Sequence, residues 1–351
     1  MLSRYLLILL LWSLISINGY SQDENIHCLC YLEGDNSPAG LMGVHTHEKN
    51  AWMVSYTYMR SNQLGNQWGS NLMADQNVLD KYLMAPQSMN MDMHMLMLMY
   101  GITDHLSVMA MGTYSVNSMS MLMINTLPMH MYGMPDMTMT AAGMMNSKLS
   151  GLNDAQLFLN YSFIQTEHHT LIISSGLNVP IANIQKKNNM SLASLQDYTY
   201  MMQLGSGTWD ILPRVSYVFS KEKLFLGMQA GANFHTGYNA IGYRADDQYS
   251  LTAWMAYRVL KPVGVSLRAL YVQSQSISGI DPNLNPWVEP GADIANYGSS
   301  TLFILPGFNI YPGFINGATI GMEYSLPIYQ YFHGIQMPYA NQWNIKAQIA
   351  F

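Results

Sequence analysis

Cysteine is nearly absent from this chain of 351 residues: the only two, Cys28 and Cys30, are separated by one residue and cannot staple a fold. Charge is scarce as well. Only 10% of residues are charged, against roughly 25% in ordinary globular domains. No basic stripe exists to neutralise phosphates, which argues against a nucleic-acid partner. Long hydrophobic runs are also missing. Although 49% of residues are hydrophobic, no stretch reaches the ~18 consecutive apolar residues that a spanning helix needs. The sequence has no G-x-S-x-G elbow, no H-E-x-x-H and no serine–histidine–asparagine arrangement on strands, so it is not read as an enzyme. Leu204-Gly-Ser-Gly-Thr208 has no helix to cradle phosphate and reads as a loop re-entering a strand.

What is present begins with Arg4, an apolar run from Leu6 to Ile17 and small residues at Gly19-Tyr20-Ser21, which predict a signal peptide over residues 1–21. No lipobox precedes Cys28. The remainder holds 14 Lys/Arg (15 less Arg4) and 21 Asp/Glu, a mildly acidic balance. Residues 51–351 are expected to form a single transmembrane unit, and residues 22–50 to lie in the periplasm or to plug that unit.

The organising pattern of residues 51–351 is alternation with period two, interrupted by turns that are alternately short and long. Short connections fall at Gly101-Ile-Thr-Asp104, Gln165-Thr-Glu-His168, Ser220-Lys-Glu222, Leu260-Lys-Pro262 and Pro312-Gly-Phe-Ile-Asn316. Tyr100, Phe163, Phe219, Tyr257 and Tyr311 stand beside them and predict an aromatic girdle. Longer polar stretches are expected as loops at 61–88, 117–150, 180–206, 237–248, 278–295 and 328–340. Five short turns and six long loops join twelve strands, an antiparallel β-barrel with short periplasmic turns and long external loops.

In the last strand, Trp343, Ile345, Ala347, Ile349 and Phe351 share one face and Gln342, Asn344, Lys346 and Gln348 the other. An amphipathic strand ending in Phe351 looks like the signal read by outer-membrane barrel assembly machinery. The same parity turns Leu224, Leu226, Met228 and Ala230 toward lipid. It places Asp154, Gln156, Asn160, Asp210, Arg214, Gln229, Asn233, His235, Arg268 and Glu323 in the lumen with Lys346, because a charge on the lipid face costs roughly 2–4 kcal/mol for Arg or Lys.

Methionine is the anomaly: 31 in all, of which 19 fall between Met84 and Met145. Thioether sulfur is a soft ligand that selects Cu(I), and M-x-M spacing on a strand puts successive sulfurs on one face. The competing reading is flexible apolar filling. Ser107 and Thr113 share a face with Met109 and Met111, and Ser55 and Thr57 with Met53 and Met59, so these methionines should face inward. Met97 is expected opposite Met109 and Met95 opposite Met111, with Met93 and Met99 on the same face. His94 has the opposite parity and joins only at a rim or bulge. Met119 to Met139 would form an external capture layer. His27-Cys28-Leu-Cys30 and His45-Thr-His47 make a second, weaker candidate for Cu(I) or Zn(II).

Several stretches carry a resemblance: Met42-Gly-Val-His-Thr-His-Glu-Lys49, Trp52-Met-Val-Ser-Tyr-Thr-Tyr-Met59, Met91-Asp-Met-His-Met95, Tyr100-Gly-Ile-Thr-Asp104 and Met202-Gln-Leu-Gly-Ser-Gly-Thr-Trp-Asp210. They resemble an uncharacterised family of bacterial outer-membrane transporters, loosely related to the "meta-pathway of phenol degradation" channel family. The resemblance implies an outer-membrane channel for small solutes. The methionines add a link to soft ions, Cu(I) or Ag(I). A plugged barrel that binds or senses metal or a small apolar ligand without transport is the second reading, and a barrel enzyme the third.

Overall fold

The computed structural model describes residues 36–124, 141–186 and 197–351. Twelve antiparallel strands close into one barrel. They are β1 (Trp52–Leu64), β2 (Met84–Gly101), β3 (Leu106–Ile124), β4 (Ala141–Leu152 continued by Ala155–Gln165), β5 (His169–Val179) and β6 (Asp210–Lys221). The second half comprises β7 (Leu224–His235), β8 (Gln248–Leu260), β9 (Val263–Ser274), β10 (Ser299–Ile310), β11 (Ala318–Gln336) and β12 (Tyr339–Ala350). Each strand pairs with its sequence neighbours, and β12 returns to β1 through pairs such as Tyr58↔Ile345 and Thr57↔Lys346. Closure leaves no unpaired edge, which is what a sheet needs in hydrocarbon, where no water satisfies exposed backbone groups.

The outward face is apolar. Leu98, Leu251, Val265, Leu267, Ile320 and Ile345 are exposed from the protein, and an apolar band encircling the barrel is stable only against lipid. Tyr324 and Trp343 meet at a tilt of 49° with centroids 4.3 Å apart on that face. The five short connections and the start of β1 lie at one end, as expected. Tyr257 and Phe163 are exposed there. Tyr311 is not part of the girdle: it is buried, with the Arg258 guanidinium 4.0 Å from its ring centroid.

At the other end the strands outrun their apolar pattern. β2 has 18 residues and β3 and β11 have 19 each, so much of the expected loops at 61–88 and 117–150 is strand. The stretch 328–340 is not a long loop but the tip of a hairpin with β11 ending at Gln336 and β12 starting at Tyr339. Beyond the hydrocarbon the outward face meets water. Alternation therefore stops where the membrane stops, while the hydrogen-bond ladder continues. A short hairpin, Asn66–Gly69 with Asn71–Met73, pairs against the β11 extension through Phe332↔Gly69.

Candidate functional site: a plugged, methionine-lined lumen

Residues 36–50 occupy the barrel interior: of the two places expected for the N-terminal segment, its described part lies in the lumen. Ala39, Leu41, Val44 and His47 are all at most 6% exposed. Asn36 begins near the short-turn end, beside Tyr257, Gly264 and Tyr311, and the Ser37 carbonyl accepts from Asn309 Nδ2 at 2.9 Å. The segment then crosses the lumen. Gly40 N donates to Glu323 Oε2 at 2.5 Å, Gln229 Nε2 donates to the Met42 carbonyl at 3.0 Å, and Ser216 Oγ donates to the Gly43 carbonyl at 3.3 Å. It descends again at Thr46, whose hydroxyl meets Ser162 Oγ at 3.0 Å, and His47, whose N–H donates to Ser107 Oγ at 2.9 Å. Asn50, with φ of 68°, turns the chain into β1 and donates its N–H to the Gly101 carbonyl. Asn tolerates that left-handed conformation better than most residues.

Gly40 is required by closeness rather than by φ. A Cβ there would stand 2.5 Å from Arg268 Nη2 and 2.7 Å from Glu323 Oε2. Those two side chains form a buried bidentate pair, with Nε–Oε1 at 2.9 Å and Nη2–Oε2 at 2.8 Å. Low dielectric makes such a pair costly to break from one side. The lumen parity holds for the other polar residues singled out from the sequence. Lys346 and Gln348 are buried inside, Gln229 meets the inserted segment, Asn233 follows the inward parity, and Arg214 lies 4.3 Å from the ring centroid of the buried Phe158.

Asp154 and Asp210 belong to a polar network toward the external end. Asn178 Nδ2 bridges them at 3.1 and 2.8 Å, and Ser206 and Thr208 hydroxyls donate to Asp210. His235 stands between Asp210 (3.7 Å) and Asp247 (3.8 Å). Arg244 holds the Asp247 carboxyl below its usual range, against the opposing effect of burial. Ser206 Oγ donates to Asp210 rather than to the imidazole.

The opposite wall is methionine. Met53, Met95, Met97, Met99, Met109 and Met111 are each at most 8% exposed and pack with Phe158 and Leu212, with Met42 and Met59 against them. The cross-strand register differs from expectation by two residues: Met97 faces Met111 and Met99 faces Met109, while Met95 faces Thr113. The turn is centred on Asp104, not Thr103. Thr103 Oγ1 accepts from the His105 and Leu106 N–H groups, and Asp104 accepts from Lys49 N, so the inserted segment helps set the register.

His94 faces outward and bonds Tyr56 Oη at 2.7 Å, away from the sulfurs, and Met93 is half-buried on the inward parity. A second methionine layer lies above. Met84, Met89, Met119, Met121, Met202 and Met337 are buried with Leu149, Tyr198 and Leu204. Met119 and Met121 are thus interior side chains of β3 and not part of an exposed capture layer; Met129 to Met139 lie outside the described residues. Cys28 and Cys30 also lie outside them. His45 and His47 sit in the inserted segment with ring centroids 5.0 Å apart. Among the described residues no three His, Cys, Asp or Glu side chains gather as metal ligands.

The external mouth is covered by the long connections expected at 180–206 and 278–295, which the sequence marks as loops without showing that they fold over the lumen. Asn117 Nδ2 donates to the Met202 carbonyl and Tyr198 Oη to the Lys148 carbonyl. Asn296 Nδ2 donates to Tyr82 Oη and to the Pro290 carbonyl. Glu289 is 2% exposed, and burial pushes its carboxyl up to about 7.

A lumen of this form, plugged from the short-turn end and covered at the other, can be set beside known proteins. The family described as "Putative MetA-pathway of phenol degradation" matches residues 103–286, more than half of the chain. The chain belongs to this family. No curated protein matches it by sequence. Among solved structures, an outer membrane channel from Pseudomonas putida F1 is similar over 90% of this chain and 100% of its own, at 12% identity and a TM-score of 0.59. A Pseudomonas aeruginosa FadL homologue aligns over 91% of this chain and 95% of its own, at 11% identity and a TM-score of 0.42. At 12% identity the likeness to the Pseudomonas putida channel concerns the fold alone. This member of the family is a bacterial outer-membrane β-barrel.

Proposed function

We propose that the barrel is a channel for small solutes of apolar character, closed at rest by residues 36–50. The observation that carries this reading is the shape of the inserted segment. Both of its limbs open toward the short-turn end, at Asn309 and Tyr311 for one and at Ser107 and Gly101 for the other. It can therefore leave as a loop without threading through the barrel. Behind it, the wall of β1–β4 offers methionines and Phe158 to a solute, and thioether side chains repack easily around different shapes. The likeness to the outer membrane channel from Pseudomonas putida supports a transport role, and the family's description, which names phenol degradation, agrees with a solute of apolar character.

A second reading, a plugged barrel that binds a ligand without passing it, is favoured by the external cover of Tyr198, Met202 and Asn296. Planar-bilayer recordings separate the two. Deleting residues 37–47 should raise single-channel conductance at least tenfold over the parent. If the deleted form stays closed, the cover is a permanent barrier and the binding reading stands in place of transport.

A further inference from the structure

Every methionine on the first three strands takes the inward parity. There are two on β1, seven on β2 and five on β3, while the outward positions of the same strands hold Val54, Leu96, Leu98, Val108 and Val116. Methionine used as apolar filler has no reason to avoid the lipid face, since it is as apolar there as leucine. Sorting by face points to the sulfur atom, which only the lumen uses.

The pairing places those sulfurs within reach of one another. Met99 stands opposite both Met53 on β1 and Met109 on β3, and Met97 opposite Met111. Directly opposed residues have Cβ atoms ~4.5–5.5 Å apart, and successive inward residues on one strand are spaced by about 6.6–6.8 Å. Side chains with three rotatable bonds can then converge from three strands on one ion. Ser55 and Thr57 on β1 stand opposite Met97 and Met95, and Thr113 on β3 opposite Met95, so the polar neighbours in register are neutral hydroxyls. A neutral, soft donor set of this kind suits a soft monovalent cation and gives hard divalent ions nothing to bind.

We infer that this wall is a thioether site for Cu(I) or Ag(I), with Met53, Met97, Met99, Met109 and Met111 as its deepest ligands. Met42 of the inserted segment packs on the same cluster, so an ion there competes with or joins the closed gate. Passage of the ion rests on the channel reading; binding does not.

The test uses the full chain carrying Cys28→Ser and Cys30→Ser, folded in detergent micelles, with Ag(I) titrated calorimetrically and Cu(I) by competition with a chromophoric chelator. Thioethers do not protonate, so affinity should change less than threefold between pH 7 and pH 4.5. Met97→Leu, Met99→Leu, Met109→Leu and Met111→Leu together should weaken binding at least tenfold, with folding followed by heat-modifiable gel mobility. If that variant does not assemble, global replacement of methionine by norleucine, which keeps length and flexibility without sulfur, must give the same loss. Undiminished binding in the sulfur-free protein overturns the site, as does loss of binding on acidification. Binding of toluene with none of Ag(I) overturns it in favour of an apolar ligand. Ag(I) binding without Ag(I) flux into liposomes carrying the 37–47 deletion upholds the site and refutes the channel reading.

Discussion

Glu323→Ala should free the inserted segment while leaving the barrel closed. In the parent, Glu323 is fully buried, takes both guanidinium contacts of Arg268, and accepts the Gly40 N–H. A hydrogen bond to a charged acceptor is worth about 1.5–3 kcal/mol, so its loss should raise the undocked fraction of the segment by about 10- to 150-fold. A reporter cysteine at Leu41, which is 4% exposed, converts that fraction into a maleimide labelling rate in the background without Cys28 and Cys30. Arg268, left without its partner, adds a separate cost of roughly 3–5 kcal/mol to the barrel wall. The double replacement Arg268→Leu with Glu323→Leu removes that second cost but not the first. It should therefore restore thermal stability and still label fast. Glu323→Gln, which keeps an acceptor for Gly40 without the charge, should fall between. If Glu323→Ala labels within threefold of the parent, Glu323 does not hold the segment and the docking argument is wrong.

The external cover, the turn into β1 and the aspartate bridge each give a further test. Burial raises the Glu289 carboxyl from its ordinary 4.5 to about 7; below pH 4.5 it is neutral whether the cover is docked or not. As pH rises toward 7 the undocked form alone ionises, so the cover should lose about 3 kcal/mol across that window. Hydrogen-exchange protection factors over residues 284–297, taken relative to the intrinsic rate at each pH, should fall accordingly, and Glu289→Gln should abolish that pH dependence. Gly101→Ala places a methyl against the carbonyls of His47 and Glu48. It should speed labelling of a cysteine at His47 without altering heat-modifiable mobility, and an unchanged rate would show that the segment yields at no cost. Asn178→Ala removes the donor between Asp154 and Asp210, at a cost of about 1.5–3 kcal/mol per bond to a charged group. Protease cutting in the 180–209 connection should rise, and resistance equal to the parent's would assign the bridge no structural weight.

The barrel is readable in the sequence because lipid on one side and a polar lumen on the other impose a two-residue period that survives in the residues themselves. Trp343 to Phe351 alternate against Gln342 to Gln348, and Arg268, Glu323 and Lys346 all fall on the inward parity. Strand ends are not readable, and β11 shows why. From Ile328 to Gln336 the ladder continues in water, where no face needs to be apolar. The methionine register is displaced by two because Thr103 and Asp104 shape the turn through contacts with Leu106 and Lys49, and one residue of turn moves every pair beyond it.

The inserted segment carries no period at all, and the physics of its surroundings explains why. A strand repeats because its neighbours repeat; residues 36–50 instead meet β10 at Ser37, β11 at Gly40, β7 at Met42, β6 at Gly43, β4 at Thr46 and β3 at His47. Six different walls demand six different fits, so the requirement appears as isolated residues: a glycine where Arg268 and Glu323 crowd the backbone, an asparagine where φ is positive, a methionine where the opposite wall is sulfur. None of these is distinctive alone. They become informative once the barrel supplies the partners, and together they make the segment's fit to this lumen specific. A loose tail drawn into the barrel would need neither Gly40 nor the buried carboxylate that receives its N–H. On the channel reading proposed above, that specificity makes displacement of residues 36–50, and not widening of the barrel, the expected step of opening.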